Sequence, residues 1–416
     1  MTTPTARLAL LSALLGNVLE WYDFALYATA SSLVFNQIFF PSQRNPLLGQ
    51  IEVFVVFFLG FLARPVGGIL FGHIGDRFGR FTAMMWTFAI MGVATAAIGF
   101  LPGYSRIGLL APLLLMTLRV VQGVAVGGEW AGGVLMLGAH ARPGNLGRTT
   151  ALSQSGVAIG MVMGNATLLL AQYLDPDALT GYGWRVPFVL TIPFIVLGLG
   201  LRHRLRDNAP PRQDAATRLP ILEVLRHAPR AVLCGIGLRL AENGGIYILT
   251  TFSLVYGRSI HVPVGWLLLG VSLGLIADAI AMPLFGYLSD RIGQRQVYLV
   301  GIMAFIPVSW LFFELIASRA EAKVLLAFVL AFPLAHAPMI AVQPALLSGL
   351  FPAPIRYTGV ALAHELGAIV AGGLSPMLAT ALYAHYHSVW SVFIYMTFLS
   401  LLTLVTMIFM KPAPQA

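Results

Sequence analysis

Glu20, Asp23 and Tyr27 stand at i, i+3 and i+7 inside a long apolar run, which puts all three on one face of a helix. Glu20 lies thirteen residues beyond Arg7, about 20 Å of helical rise. Arg119 lies thirteen residues inside Arg106 from the opposite surface, so both reach mid-depth if these runs cross a bilayer. A charge at that depth costs roughly 3 kcal/mol or more unless it faces a partner or water. An apposed carboxylate and arginine form either a static pair or an exchange site, in which protonating the acid frees the arginine for an anion. Arg239 and Glu242 lie one turn apart in a later run, with Asn243 and Tyr247 beyond. They read either as a locally neutralised pair or as a second cation for a carboxylate, with Asn243 and Tyr247 as partners for hydroxyls. His336 and Gln343, seven apart, can line the same cavity; the histidine suits proton transfer or a satisfied structural role equally. Glu129 is ten residues, about 15 Å, from Arg119. It is expected to serve a half-channel or to pair with Arg64. Asp278 and the His364–Glu365 pair are weaker candidates, assigned to a gate.

The elements that must hold these groups are apolar helices. Hydrophobic residues make up 58% of the chain and charged ones 10%, at a mean hydropathy of +0.83, where a soluble domain carries roughly 25% charged residues. Twelve runs are long enough to cross a hydrocarbon core, which takes about 20 helical residues. They cover 8–38, 48–75, 81–101, 108–138, 147–173 and 185–204, then 229–257, 264–288, 296–317, 322–349, 355–384 and 387–410. The first is read as an uncleaved membrane helix, because no small-residue cleavage site follows it. With both termini on one side, that side receives sixteen basic residues against six, so both termini are expected in the cytoplasm. The net charge of +9 is thereby explained by orientation, and no basic stripe marks a nucleic-acid partner. The single cysteine, Cys234, leaves neither a disulfide framework nor a cysteine metal cage.

One signature occurs twice, 214 positions apart: Gly72-His-Ile-Gly-Asp76-Arg77-Phe-Gly79-Arg80 and Gly286-Tyr-Leu-Ser-Asp290-Arg291-Ile-Gly293-Gln-Arg295. Its aspartates can bond backbone amides or a neighbouring helix and hold one face shut, and the arginines respect the orientation rule. Asp76, Arg77, Arg80, Asp290, Arg291, Arg295 and Arg64 are therefore gate candidates. Small residues four apart, Gly156, Gly160 and Gly164 against Gly367, Ala371 and Ser375, fall at matching places and support the repeat. The expectation is an all-α integral membrane protein. Two pseudo-symmetric six-helix bundles, 1–204 and 229–416, are joined by a cytoplasmic linker over 205–228.

These loops resemble the signature of the major facilitator superfamily. Gly16-Asn17-x-x-Glu20-Trp21-Tyr22-Asp23-Phe24-x-x-Tyr27 is similar to the first-helix motif of its metabolite:proton symporter family. Arg64-Pro65-x-Gly67-Gly68, Arg119-x-x-Gln122-Gly123-x-x-x-Gly127-Gly128-Glu129-Trp130, Gly183-Trp184-Arg185-x-Pro187-Phe188 and Arg356-Tyr357-x-Gly359 with Gly372-Gly373-x-x-Pro376 continue the likeness. It departs at Gly138-Ala-His140-Ala-Arg142-Pro143, at Arg80-Phe81, at Gln294 and at Arg206-Asp207-Asn208-Ala209-Pro210, which puts the strength of the cytoplasmic latch in question. The resemblance implies proton-coupled uptake of a small organic acid, shikimate-like, by alternating access in a bacterial inner membrane. It implies substrate binding by Arg119, Arg239, Tyr27, Gln122, Asn243, Tyr247, His336 and Gln343, and proton coupling through Glu20, Asp23, Glu129 and Glu242. Rival cargoes are a di- or tricarboxylate (2-oxoglutarate, citrate), a zwitterion (proline, betaine) and, further off, exported drugs. A chain ending at Ala416 without a long coiled coil counts against an osmosensing zwitterion carrier. No H-E-x-x-H, G-x-S-x-G or P-loop is found, so no enzyme, metal or cofactor is expected, and the carrier is expected to be monomeric.

Overall fold

The computed structural model describes residues 4–40, 46–78, 80–127, 145–174, 181–204, 220–352 and 355–410. They are helical almost throughout, with no strand among the described residues. Lipid offers no hydrogen-bond partners to the main chain, so an apolar chain of this kind must satisfy its amides within helices. In chain order the principal helices are α1 (Pro4–Ala30), α2 (Pro46–Leu62), α3 (Arg64–Phe78), α4 (Arg80–Phe100), α5 (Leu110–Val126), α6 (Leu146–Leu174) and α7 (Thr191–Arg204). The second half of the chain supplies α8 (Pro229–Ser259), α9 (Val264–Ile292), α10 (Gln294–Ala317), α11 (Glu321–Gly349), α12 (Thr358–Tyr386) and α13 (Trp390–Phe409). Eight helices of the described residues are long and apolar enough to cross a membrane, and three shorter apolar ones accompany them.

The apolar runs read from sequence coincide with helices to within a few residues. The run over 48–75 is divided at Ala63 into α2 and α3, and the run over 108–138 is described only as far as Gly127. Within the segment read as a linker, 205–228, the described part holds a two-turn helix, Pro220–His227, with Val224 fully buried. Its apolar residues (Ile221, Val224, Leu225) follow helical spacing, a signal that the surrounding prolines and arginines obscured.

Among the described residues, four π-helical stretches interrupt or extend the long helices. Ser31–Phe35 follows α1, Ile248–Phe252 lies within α8, Phe332–His336 within α11 and Ala368–Gly373 within α12. Such bulges re-aim side chains in mid-helix. Here one of them carries His336, and another brings Gly372 against Asn243 and Tyr247.

Helices approach closely where glycine removes the side chain. A Cβ on Gly67 of α3 would lie 1.9 Å from the Val124 carbonyl oxygen of α5, and one on Gly127 would lie 2.0 Å from that of Arg64. Backbone therefore rests on backbone at this crossing, and Arg119 is drawn in beside Gly60. Gly160 and Gly164 of α6 seat α1 in the same way, against Val18 and Tyr22.

Candidate functional site

On α1, Asp23 is buried and accepts hydrogen bonds from Gln122 Nε2 at 3.1 and 3.2 Å, and from the Thr95 hydroxyl of α4. Gln122 turns its Oε1 to Arg119 Nη1 at 2.9 Å. The amide thus joins the arginine to the acid. Arg119 also stacks its guanidinium 3.9 Å from the Tyr27 ring centre, a cation–π contact removed from water. Of the two α1 acids, Asp23 is the one joined to Arg119, through Gln122. Glu20, one turn earlier, is buried.

The second half repeats the pattern. Arg239 Nη1 donates to Gln343 Oε1 at 2.7 Å, and Gln343 Nε2 donates to Glu242 Oε2 at 2.8 Å. Arg239 and Glu242 also form an ion pair at 3.6 Å. His336 Nε2 lies 3.5 Å from Glu242 Oε1, while its Nδ1 lies 2.8 Å from Asp278 Oδ2. Asp23 and Glu242 are 219 positions apart, Tyr27 and Tyr247 220, and Gln122 and Gln343 221. The carboxylate, the tyrosine and the glutamine are thus placed by the same duplication that repeats the loop signature. Only the arginine changes helix: beside the glutamine in the first half, beside the carboxylate in the second.

The two clusters face each other across aromatic rings. Phe57 of α2 stacks on Tyr27 at 6.0 Å and meets Tyr247 edge-on at 5.5 Å, and Phe61 meets Tyr247 at 5.6 Å. Around this layer several buried polar atoms have no hydrogen-bond partner among the described residues: Arg119 Nε and Nη2, Arg239 Nε, Tyr27 Oη, Tyr247 Oη and Asn243 Oδ1. A buried polar atom without a partner costs roughly 1–3 kcal/mol. The guanidinium nitrogens and tyrosine hydroxyls from both halves can donate to an anion, and Asn243 Oδ1 can accept from a hydroxyl.

Contacts between the two halves lie at both ends of this layer. At one end Asp290 of α9 accepts from the backbone amides of Gly147 (2.7 Å) and Arg148 (3.0 Å), the first turn of α6. Ser155 of α6 donates to the Ala279 carbonyl at 3.3 Å further in. At the other end Ser32 donates to the Thr251 carbonyl at 3.1 Å, and Arg258 to that of Leu33 at 2.5 Å. Of the gate candidates, Asp290 crosses to the other half. Arg291 instead stacks on Tyr287 of its own helix, and Arg295 donates to the Met407 carbonyl at 2.7 Å. The side chains of Asp76, Arg77 and Arg80, and all of Glu129 and Gly128, lie outside the described residues.

Arg64, which was expected to offer itself to Glu129, pairs at 3.5 Å with Glu365 of α12, in the other half of the chain. It packs its guanidinium over Phe24 and Phe61, and Glu365 is also met by His364 at 3.1 Å. Thr95 was not foreseen at all, because a lone threonine in an apolar run carries no sequence signal.

The family model of the Major Facilitator Superfamily matches residues 13–277 and 245–416. The chain belongs to this superfamily. It is 36% identical to the shikimate transporter of Escherichia coli strain K12, over 94% of this chain and 91% of that protein. It is 32% identical to the inner membrane metabolite transport protein YhjE of the same organism, covering 91% and 88%. It is 30% identical to that organism's proline/betaine transporter, covering 90% and 77%. Among solved structures it shares the fold of the xylose transporter XylE of E. coli in a partially occluded inward-open conformation. That match has a TM-score of 0.75 at 18% identity and covers 99% of each chain. This superfamily member is therefore a multi-pass membrane transporter, and its curated relatives carry small solutes.

Proposed function

We propose that this protein is a proton-coupled importer of a small organic acid, shikimate-like, working by alternating access in the bacterial inner membrane. Twelve helices would form two six-helix bundles, 1–204 and 229–416, with both termini in the cytoplasm. The observation that carries the reading is the pair of arginine–glutamine–carboxylate clusters, duplicated in the chain and facing each other across Phe57 with unpartnered nitrogens between them. A proton arriving at Asp23 removes the charge that Gln122 and Arg119 serve. Arg119 is then available to a substrate carboxylate, with Arg239 opposite, and Tyr247 and Asn243 can meet ring hydroxyls. Rocking the bundles breaks one set of closing contacts while the other holds. With Asp290 on the cytoplasmic side, import ends when its bonds to α6 open. One proton moved with a monoanion transfers no net charge; a second would add about 2.3 kcal/mol per 100 mV.

The test is uptake of radiolabelled shikimate into proteoliposomes. An imposed inward proton gradient should accelerate it, and Arg119→Ala should abolish it. Uptake indifferent to both treatments overturns the coupling scheme. A thermal-shift panel of shikimate, quinate, 2-oxoglutarate, citrate, proline and betaine separates the monocarboxylate reading from a dicarboxylate, tricarboxylate or zwitterion cargo, because stabilisation rises with ligand concentration over its dissociation constant.

A further inference from the structure

Charge does not balance equally in the two clusters. Arg119 is joined through Gln122 to one carboxylate, Asp23. Around Arg239 there are two carboxylates, Glu242 and Asp278, for one guanidinium, and all three are buried. The fourth member, His336, lies between the two acids: Nδ1 is bonded to Asp278 at 2.8 Å, and Nε2, which has no hydrogen-bond partner among the described residues, faces Glu242 at 3.5 Å. Among the described residues its surroundings contribute no further unmatched charge. Tyr298 of α10 spends its hydroxyl on the Leu238 carbonyl. His364 and Glu365 lie on the Arg239 side, where Glu365 is matched by Arg64. On α6, which packs along α9, the ionisable described residues are Arg148 and Tyr173. Arg148 sits at Asp290, twelve residues or about 18 Å along α9 from Asp278, and Tyr173 is exposed. An uncompensated charge is disfavoured at this depth. One proton shared among Asp278, His336 and Glu242 brings the group to neutrality.

We propose that this cluster holds one resident proton, and that its transfer from His336 Nε2 to Glu242 Oε1 is what releases Arg239 for the substrate carboxylate. This rests on the reading of Arg239 as a substrate cation. In the resting arrangement the imidazolium donates through Nδ1 to Asp278 and faces Glu242 through Nε2, while Arg239 serves Glu242. In the binding arrangement the N–H bond at Nε2 breaks and an O–H bond forms on Glu242. His336 becomes neutral with its remaining proton on Nδ1, still held by Asp278. No proton enters or leaves the group, so the substrate anion, arriving at Arg239, replaces the charge that Glu242 has given up. Asp278 is a positioning residue here: it fixes the imidazole and keeps the count at one proton. Asp23 remains the exchangeable site, which divides the labour between the halves.

The experiment is shikimate binding to the purified full-length protein, followed by thermal shift, for His336→Gln, Asp278→Asn, Glu242→Gln and the doubles His336→Gln/Glu242→Gln and Asp278→Asn/Glu242→Gln. Glutamine at 336 can hydrogen-bond both neighbours but carries no transferable proton, and asparagine at 278 removes the charge that the resident proton balances. His336→Gln and Asp278→Asn should each leave Arg239 locked to Glu242 and weaken binding at least about tenfold, whereas Glu242→Gln alone should not. Adding Glu242→Gln should restore that loss in both doubles, because a neutral amide no longer holds the arginine. A histidine with a merely structural role would give no such rescue. Binding by both single variants as tight as wild type, or doubles as weak as the singles, overturns the relay. Should one single variant fail to fold, the other with its double decides alone; should both fail, their doubles decide, since weak binding by folded doubles also overturns it. Failure of the wild type to bind shikimate or any carboxylate would instead sink the functional reading beneath it.

Discussion

Asp290→Ala tests whether the two halves part at the α6–α9 contact. The carboxylate accepts two amide hydrogen bonds, at 2.7 and 3.0 Å, from the first turn of α6. Hydrogen bonds to a charged group contribute about 1.5–3 kcal/mol each where water is excluded, and the helix N-terminus adds a favourable dipole. Asp290 is only half-buried and Arg148 is exposed, so water replaces much of this when the contact opens. A net loss of about 1–2 kcal/mol for the closed arrangement is the resulting figure. It corresponds to about a five- to thirtyfold rise in the population open at that end. Ser155 lies behind the contact and is 6% exposed, so a cysteine there reports opening. In a Cys234→Ser background, Ser155→Cys should react with a membrane-impermeant maleimide faster by that factor when Asp290→Ala is added. The acceleration should appear in inverted vesicles and not in right-side-out ones. An unchanged rate would refute the assignment of Asp290 as a closing contact, and acceleration from the opposite side would refute the orientation.

Three further outcomes are expected. Arg64→Leu or Glu365→Leu alone should destabilise the protein by about 3–5 kcal/mol, because each leaves one buried charge of the 3.5 Å pair unmatched. The double variant should recover most of that loss in thermal unfolding of the detergent-solubilised protein. Gly67→Val should cost folding outright, read as loss of monodisperse protein on size exclusion, since a Cβ there would lie 1.9 Å from the Val124 carbonyl. Gly372→Ala should leave expression intact yet lower uptake about tenfold or more, because its methyl would press on Asn243 Oδ1 at 2.4 Å and on the Tyr247 ring at 2.9 Å.

Much of the architecture could be read from residue order because the bilayer imposes a simple rule. A span needs about 20 apolar residues, and any ionisable group within one must be there for a reason. That rule located the helices and singled out Asp23, Arg119, Arg239 and Glu242, and the duplicated loop announced two related halves. Composition, periodicity and repeat are properties of one chain segment at a time, so sequence alone determined them. Which acid meets which arginine is a different kind of fact. It depends on how far each helix is rotated and how closely its neighbours approach, and those are fixed by contacts between residues a hundred or more positions apart. Gln122 as the link between Arg119 and Asp23, Thr95 beside it, Arg64 paired with Glu365 and His336 set between two carboxylates were therefore decided only when the helices packed.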